Sequence, residues 1–360
     1  MNVSRLTTFA VVALLVANLT APAHSVTIDW VTVGDPGNAA DNTTYGAVAD
    51  AYRIGKYEVT IQQYTDFLNA VAQSDPYSLY DPVMANNGNI AGISQSGTSG
   101  EFSYSVIGPL GTTPAGASSP GNRPITFVSW FDAARFANWM QNGQGSGSTE
   151  TGAYTLVGGQ TSGTAPAKNP GAQYYIPTEN EWYKAAYYKG GGTNAGYWDY
   201  ATQSDNDPGN TIGSGANQAN YQAGAYAVTG SSSFDDSTQN YLTDVGAFSS
   251  SVSAYGTFDQ SGNVYEWNDL AGTSGLLRGL RGGDWNINVA SDLSSSSRTT
   301  DLPSLGNSFI GFRLASPVPV PEPSPWVMGL AGIAWAGWGA CRRRRLASAS
   351  SRRHLCPSNL

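Results

Sequence analysis

The chain has 360 residues, of which 12% are charged, 11% aromatic and 43 are glycine, enough apolar material for one large domain and too few charges for a coiled coil or a Lys/Glu-rich disordered chain. All 26 acidic residues lie between Asp29 and Glu322, against 11 basic ones in the same span, and such an acidic surface repels phosphate and excludes nucleic acid as a partner. The only cysteines (Cys341, Cys356) and histidines (His24, His354) sit at or beyond the edges of the expected folded region, which removes Ser-His-Asp and Cys-His catalysis, His-based zinc or iron and Cys-ligated clusters from it.

In chain order, residues 1–23 read as a secretory signal peptide. Arg5 supplies the positive start, Phe9 to Leu19 the apolar stretch and Ala21-Pro22-Ala23 the small-residue cleavage site, which would leave His24 as the mature N-terminus. Residues 24–316 form the expected folded domain. Its first helix opens at Thr60, with Gln63 completing a capping box and Ile61, Tyr64, Phe67, Leu68 and Val71 on one face. A second opens at Ser129 with Asp132 and stops near Gly143, and a third opens at Thr178 with Glu181 and runs to Gly190. Residues 85–122, 143–173 and 190–256 read as long irregular loops, and the Tyr and Trp spread through them predict packed rather than disordered segments.

The strongest internal pattern is Tyr255 to Trp267. Asp259, Gly262 and Glu266 share a turn in which two carboxylates and freed carbonyls can converge. Oxygen donors on a flexible loop suit Ca²⁺; the same spacing also suits an Asx-type turn with Glu266 capping local amides. Leu280 to Trp285, Ser294 to Arg298 and Ile310 to Ala315 read as core strands whose arginines pair with carboxylates, with Asp284 as a strand-end partner. Prolines at every second position of 317–325 force an extended linker. Residues 326–341 are uncharged and suit a membrane helix, and the basic tail 342–360 begins with four arginines that act as a positive-inside stop.

Two resemblances follow from these segments. Tyr52-Arg-Ile-Gly-Lys-Tyr-Glu-Val-Thr60, Arg123 to Ala134, Ile176 to Trp182, Gly262-Asn-Val-Tyr-Glu-Trp267, Arg281-Gly-Gly-Asp-Trp285 and Gly311-Phe-Arg313 together resemble the formylglycine-generating (sulfatase-modifying factor) enzyme family. The resemblance implies an α+β, loop-rich variant of the C-type-lectin fold with small sheets and a few helices. It also implies structural calcium, with one site at Asp259, the Gly262 and Val264 carbonyls and Glu266, and a second at Asn220, the Tyr221 carbonyl and an acid near Asp236. Family oxidases carry a copper-binding cysteine pair just after Arg-Gly-Gly, whereas Trp285 to Asp292 here contains no thiol, and the histidines of the iron-dependent branch are absent. No copper or iron is therefore expected.

The second resemblance lies at the C-terminal end. Val320-Pro321-Glu322-Pro323, the apolar run and the arginine cluster are similar to a PEP-CTERM sorting signal, with Leu346 to Leu360 as an unusual extension. It implies an exosortase-type partner and export to the envelope or exopolysaccharide matrix of a Gram-negative bacterium, with the chain held in the inner membrane by its C-terminal helix before processing. The combined expectation is a non-oxidase binding or structural module, with Trp198, Trp285 and Tyr221 each read first as core packing and otherwise as a ring that stacks on an exopolysaccharide or peptide ligand. The alternative is a divergent oxidoreductase in which Glu179, Glu181, Asp284 or Asp292 act as acid/base groups or iron ligands.

Overall fold

The helices begin where the capping residues stand. They are α1 (Ile61–Val71), the single turn α2 (Val83–Asn86), α3 (Trp130–Gln141) and α4 (Glu179–Tyr187). Thr60, Ser129 and Thr178 each accept from the third residue of the following helix, whose side chain returns the bond. Free amides of the first turn are thereby satisfied. The third helix ends before Gly190 because Tyr188 turns to an extended conformation and pairs across to Tyr197.

The computed structural model describes residues 25–108, 120–234 and 239–319. The expected signal peptide, residues 320–325 of the linker, the apolar segment 326–341, the basic tail and Asp236 lie outside the described residues. Among the described residues no helix is long and apolar enough to cross a membrane. Those up to Pro317 belong to one compact unit.

Strands are short and gather into three sheets. β1 (Trp30–Val33) and β2 (Tyr52–Gly55) pair antiparallel, and β2 pairs again with the last strand. β3 (Ile93–Ser96) and β4 (Ser103–Val106) form a hairpin. β5 (Tyr265–Asn268), β6 (Arg278–Arg281), β7 (Thr299–Asp301) and β8 (Ile310–Gly311) form the third sheet in the order β7-β6-β5-β8, with β5 and β8 parallel. β9 (Ala315–Pro317) is that last strand. This is the loop-rich α+β architecture expected, with small sheets and a few helices.

One expected strand is absent. Ser294 to Arg298 turns after a short 3₁₀ segment (Ala290–Leu293), and pairing begins only at Thr299. The serines prefer local bonds: Ser294 Oγ donates to Ser291 O at 2.6 Å and the Ser297 amide to Ser294 O at 3.0 Å. Such bonds compete with a sheet ladder.

The core sits where α1 and α3 meet the C-terminal strands. Tyr64, Phe67, Phe136 and Phe312 are all fully buried, with Phe136 edge-on to Phe67 and Phe312 at 5.4 and 5.5 Å. Offset and edge geometries of this kind add to the burial of the rings. The described parts of the long loops hold buried aromatics, as expected. Tyr154, Tyr175, Tyr200 and Tyr221 are buried, and side-chain amides stand in for a ladder: Asn138 Nδ2 donates to the carbonyls of Thr149 and Tyr154, Asn210 Nδ2 to those of Tyr221 and Ala225.

Candidate functional site

The segment from Asp259 to Glu266 is folded by three departures from ordinary backbone geometry. Asp259, Gly262 and Asn263 all have positive φ (+61°, +90° and +65°). A Cβ on Gly262 would lie 2.4 Å from the carbonyl oxygen of Asn220, so only glycine admits this approach. The turn is pinned from three sides: the Asn263 amide donates to Asn220 O, the Gly262 amide to Gly282 O and the Trp285 amide to Asn263 O.

Glu266 lies on β5 rather than in the turn, and it caps no local amide. Arg313 grips it at two points, Nε to Oε2 and Nη2 to Oε1, both at 2.6 Å, and Trp182 Nε1 donates to Oε2 at 2.8 Å. Arg313 also donates to the carbonyls of Gly55 and Phe258. Its Nη2 stands 3.9 Å from Oε2 of Glu58. Asn263 Nδ2 reaches the other Glu58 oxygen at 3.4 Å, while Glu58 Oε2 is fully buried with no hydrogen-bond partner. Asp259 Oδ2 accepts from the Gly246 amide at 2.6 Å.

Three buried carboxylates, Glu58, Asp259 and Glu266, therefore face one guanidinium. Burial pushes the Asp259 carboxyl up to about 6, and burial with the Asp259 charge beside it raises Glu58 well above the usual carboxylate range. Uncompensated charge in such a place is costly unless a proton or a cation answers it. Oxygen-only donors beside an orphaned carboxylate oxygen fit a hard cation such as Ca²⁺. Glu266 is the poorest free ligand of the set, because Arg313 and Trp182 already use both of its oxygens. Among the described residues no three His, Cys, Asp or Glu side chains form a metal site by themselves. Glu58 is the residue that sequence reasoning missed. Its signal was a lone acid between Tyr57 and Val59, in a strand-to-helix connection otherwise bound for the core.

The second expected set is more thoroughly committed. Asn220 Nδ2 donates to Tyr241 O and to Asn263 Oδ1, and the Tyr221 carbonyl accepts from Asn210 at 3.0 Å.

The stretch after Arg281-Gly-Gly is closed by aromatic rings. Trp285 packs with Tyr226, Tyr241, Phe234 and Phe309, ring centroids 5.2–6.0 Å away. Trp285 and Tyr221 are 2% and 4% exposed, so neither offers a face to a ligand: both take the core-packing reading and fill space between loops. Trp198 is half-buried, with Lys189 Nζ 4.1 Å from its ring centroid. Among the described residues Asp284 pairs with no arginine. It accepts from the Asn286 amide at 2.7 Å, capping the turn that follows the strand, and burial pushes it up to about 7 with Asp292 as a nearby like charge. Glu181 is the expected helix cap, and Glu179 is held by Arg281 and Arg298 at 2.8 Å.

Residues 30–318 match the model of the sulfatase-modifying factor enzyme 1-like domain. No curated protein sequence matches the chain. Among solved structures, the chain is similar to the crystal structure of CarF (23% identity, 81% of this chain and 99% of that one, TM-score 0.44). It is similar also to Treponema denticola variable protein 1 (20%, 82% and 97%, TM-score 0.46) and to PvdO from Pseudomonas aeruginosa (18%, 81% and 92%, TM-score 0.36).

Proposed function

The chain belongs to the sulfatase-modifying factor enzyme 1-like domain family, and we propose that it uses this fold as a non-oxidase binding or structural module stiffened by calcium. The observation that carries the reading is the segment Trp285 to Asp292. Where the family's oxidases hold copper through two cysteines, this chain has no thiol, and Trp285 is packed among four other rings. Cu(I) requires soft ligands, and carboxylates and amides do not replace them. The excess of carboxylates around Arg313 supports a hard cation instead. Export, sorting by an exosortase-type enzyme and residence in a Gram-negative envelope or exopolysaccharide matrix complete the proposal, on the strength of residues 1–23 and 317–345.

The test is elemental analysis of the full chain purified from its exporting host without chelator. The expected result is calcium, neither copper nor iron, and a lower melting temperature in EDTA. Copper or iron near one per chain would overturn the reading.

A second reading is favoured by one observation. Asp284 is buried with a carboxyl near neutrality, and both it and Asp292 act electrostatically on Tyr265. Two carboxylates and a phenol suit acid/base work in a divergent oxidoreductase. Oxygen consumption that disappears in Asp284→Asn would establish this reading against the first.

A further inference from the structure

A polar cleft of about 290 Å³ opens beside the start of α3. Tyr77, Asp81, Phe127, Asp132, Thr161 and Ser304 are among its lining residues. It is separate from the acidic cluster around Arg313, and neither the family resemblance nor the calcium reading uses it.

Asp132 is the group that gives the cleft a chemistry. Its side chain is nine-tenths buried, and Oδ2 accepts from the Ser129 amide at 2.8 Å and from Ser129 Oγ at 2.7 Å. Among the described residues nothing hydrogen-bonds its Oδ1, so an acceptor within the cleft wall is left for a ligand. Burial pushes this carboxyl up to about 7.

The rest of the lining narrows the ligand. No Lys, Arg or His is present, so phosphates, sulfates and uronates meet two carboxylates and no cation. A calcium ion would want about six to eight oxygens, whereas one of the two acids is tied to Ser129 and Asp81 Oδ1 already accepts from the Val83 amide. What remains is a set of acceptors and hydroxyls next to two rings. Tyr77 is held in place by Arg135, whose guanidinium lies 4.3 Å from the ring centroid and is clamped by Glu150. Phe127 is fixed by a left-handed backbone (φ +60°) and by Gly306, where a Cβ would come within 3.0 Å of the Phe127 carbonyl. Rigid rings beside a few convergent polar atoms make a preformed small-molecule site.

We propose that this cleft binds a neutral, hydroxyl-rich sugar, with Asp132 Oδ1 and Asp81 accepting from ring hydroxyls and Tyr77 and Phe127 packing on the sugar's C–H face. The assignment rests on the binding-module reading and gives it a ligand class. Its test is calorimetry of the full chain with cellohexaose, maltohexaose and chitohexaose, and oligogalacturonate as the anionic probe. At least one neutral hexaose binds, oligogalacturonate does not, and Asp132→Asn weakens binding by about tenfold or more.

Because Asp132 also caps α3, Ser304→Trp serves as the second variant. Ser304 is exposed, so the indole obstructs the cleft without touching the core, and it too weakens binding by about tenfold or more. Absence of binding to every neutral hexaose overturns the assignment, as does binding that survives Ser304→Trp within about twofold, or equal binding of oligogalacturonate. A chain that binds no sugar yet holds calcium and no copper or iron sinks only this assignment, whereas copper or iron sinks the module reading itself.

Discussion

Arg313 and Glu266 meet in a two-point ion pair with both side chains at 0% exposure, and the Nη2 that donates to Glu266 also stands 3.9 Å from Glu58 Oε2. Removing one member leaves the other charged and buried. Glu266→Gln is expected to lower stability by about 3–5 kcal/mol in urea denaturation. Arg313→Lys keeps the charge but cannot bridge two oxygens, so it also destabilises. A loss below about 1 kcal/mol in both variants would show that the pair is not the centre of the domain's electrostatics.

The pH dependence of stability has an unusual sign. Burial raises the carboxyls of Asp132 and Asp284 to about 7 and that of Asp269 to about 6. Unfolded, each titrates near about 3.9. Between those values the folded chain holds protons that the unfolded chain has released, so stability contributed by these groups is complete below about pH 4 and is lost as pH rises toward 7. Urea midpoints at pH 4.5 and 7.5 check this. Asp284→Asn should leave the acidic midpoint unchanged and raise the neutral one; an identical pH slope in wild type and variant would refute the assignment.

Gly262→Ala is expected to destabilise the domain by about 2–4 kcal/mol, since it adds a left-handed backbone cost to a methyl group forced against Asn220 O. Thermal melts of the variant measure it directly. A neutral result would mean that the Asn220 loop can yield.

Trp285→Ala should cost about 3–5 kcal/mol, the penalty of a cavity in a ring cluster, and should leave sugar affinity unaltered. Selective loss of ligand binding with normal stability would restore Trp285 as a contact residue.

What could be read in the sequence divides along sequence distance. The capping boxes of α1, α3 and α4 span three residues each, and all were legible. That Arg281 and Arg313 would find carboxylates was also legible from buried-strand chemistry, but the identity of the partners was not: Glu179 and Glu266 stand 102 and 47 positions away. Glu58 escaped notice because its neighbours in space, Asp259, Asn263 and Arg313, come from the other end of the domain. For Trp285 and Tyr221 core packing and ligand stacking both stayed open in the sequence, because loop aromatics are exposed or buried according to the packing of other loops, which has no local signature. Asp284 turned inward to a backbone amide two residues on, a local bond that its Gly-Gly-Asp context allowed.

β2 lies between β1 and β9, and Arg53 on β2 bonds to Pro317 on β9 across 264 positions. While the chain is being synthesised, the first hairpin waits with one edge of β2 unpaired until almost the whole domain has been made. A free edge of that kind is a template for another chain's strand. Completion of folding is thus reserved for the finished polypeptide, and a proteolytic cut just before Ala315 would reopen the same edge at the opposite end of the sequence.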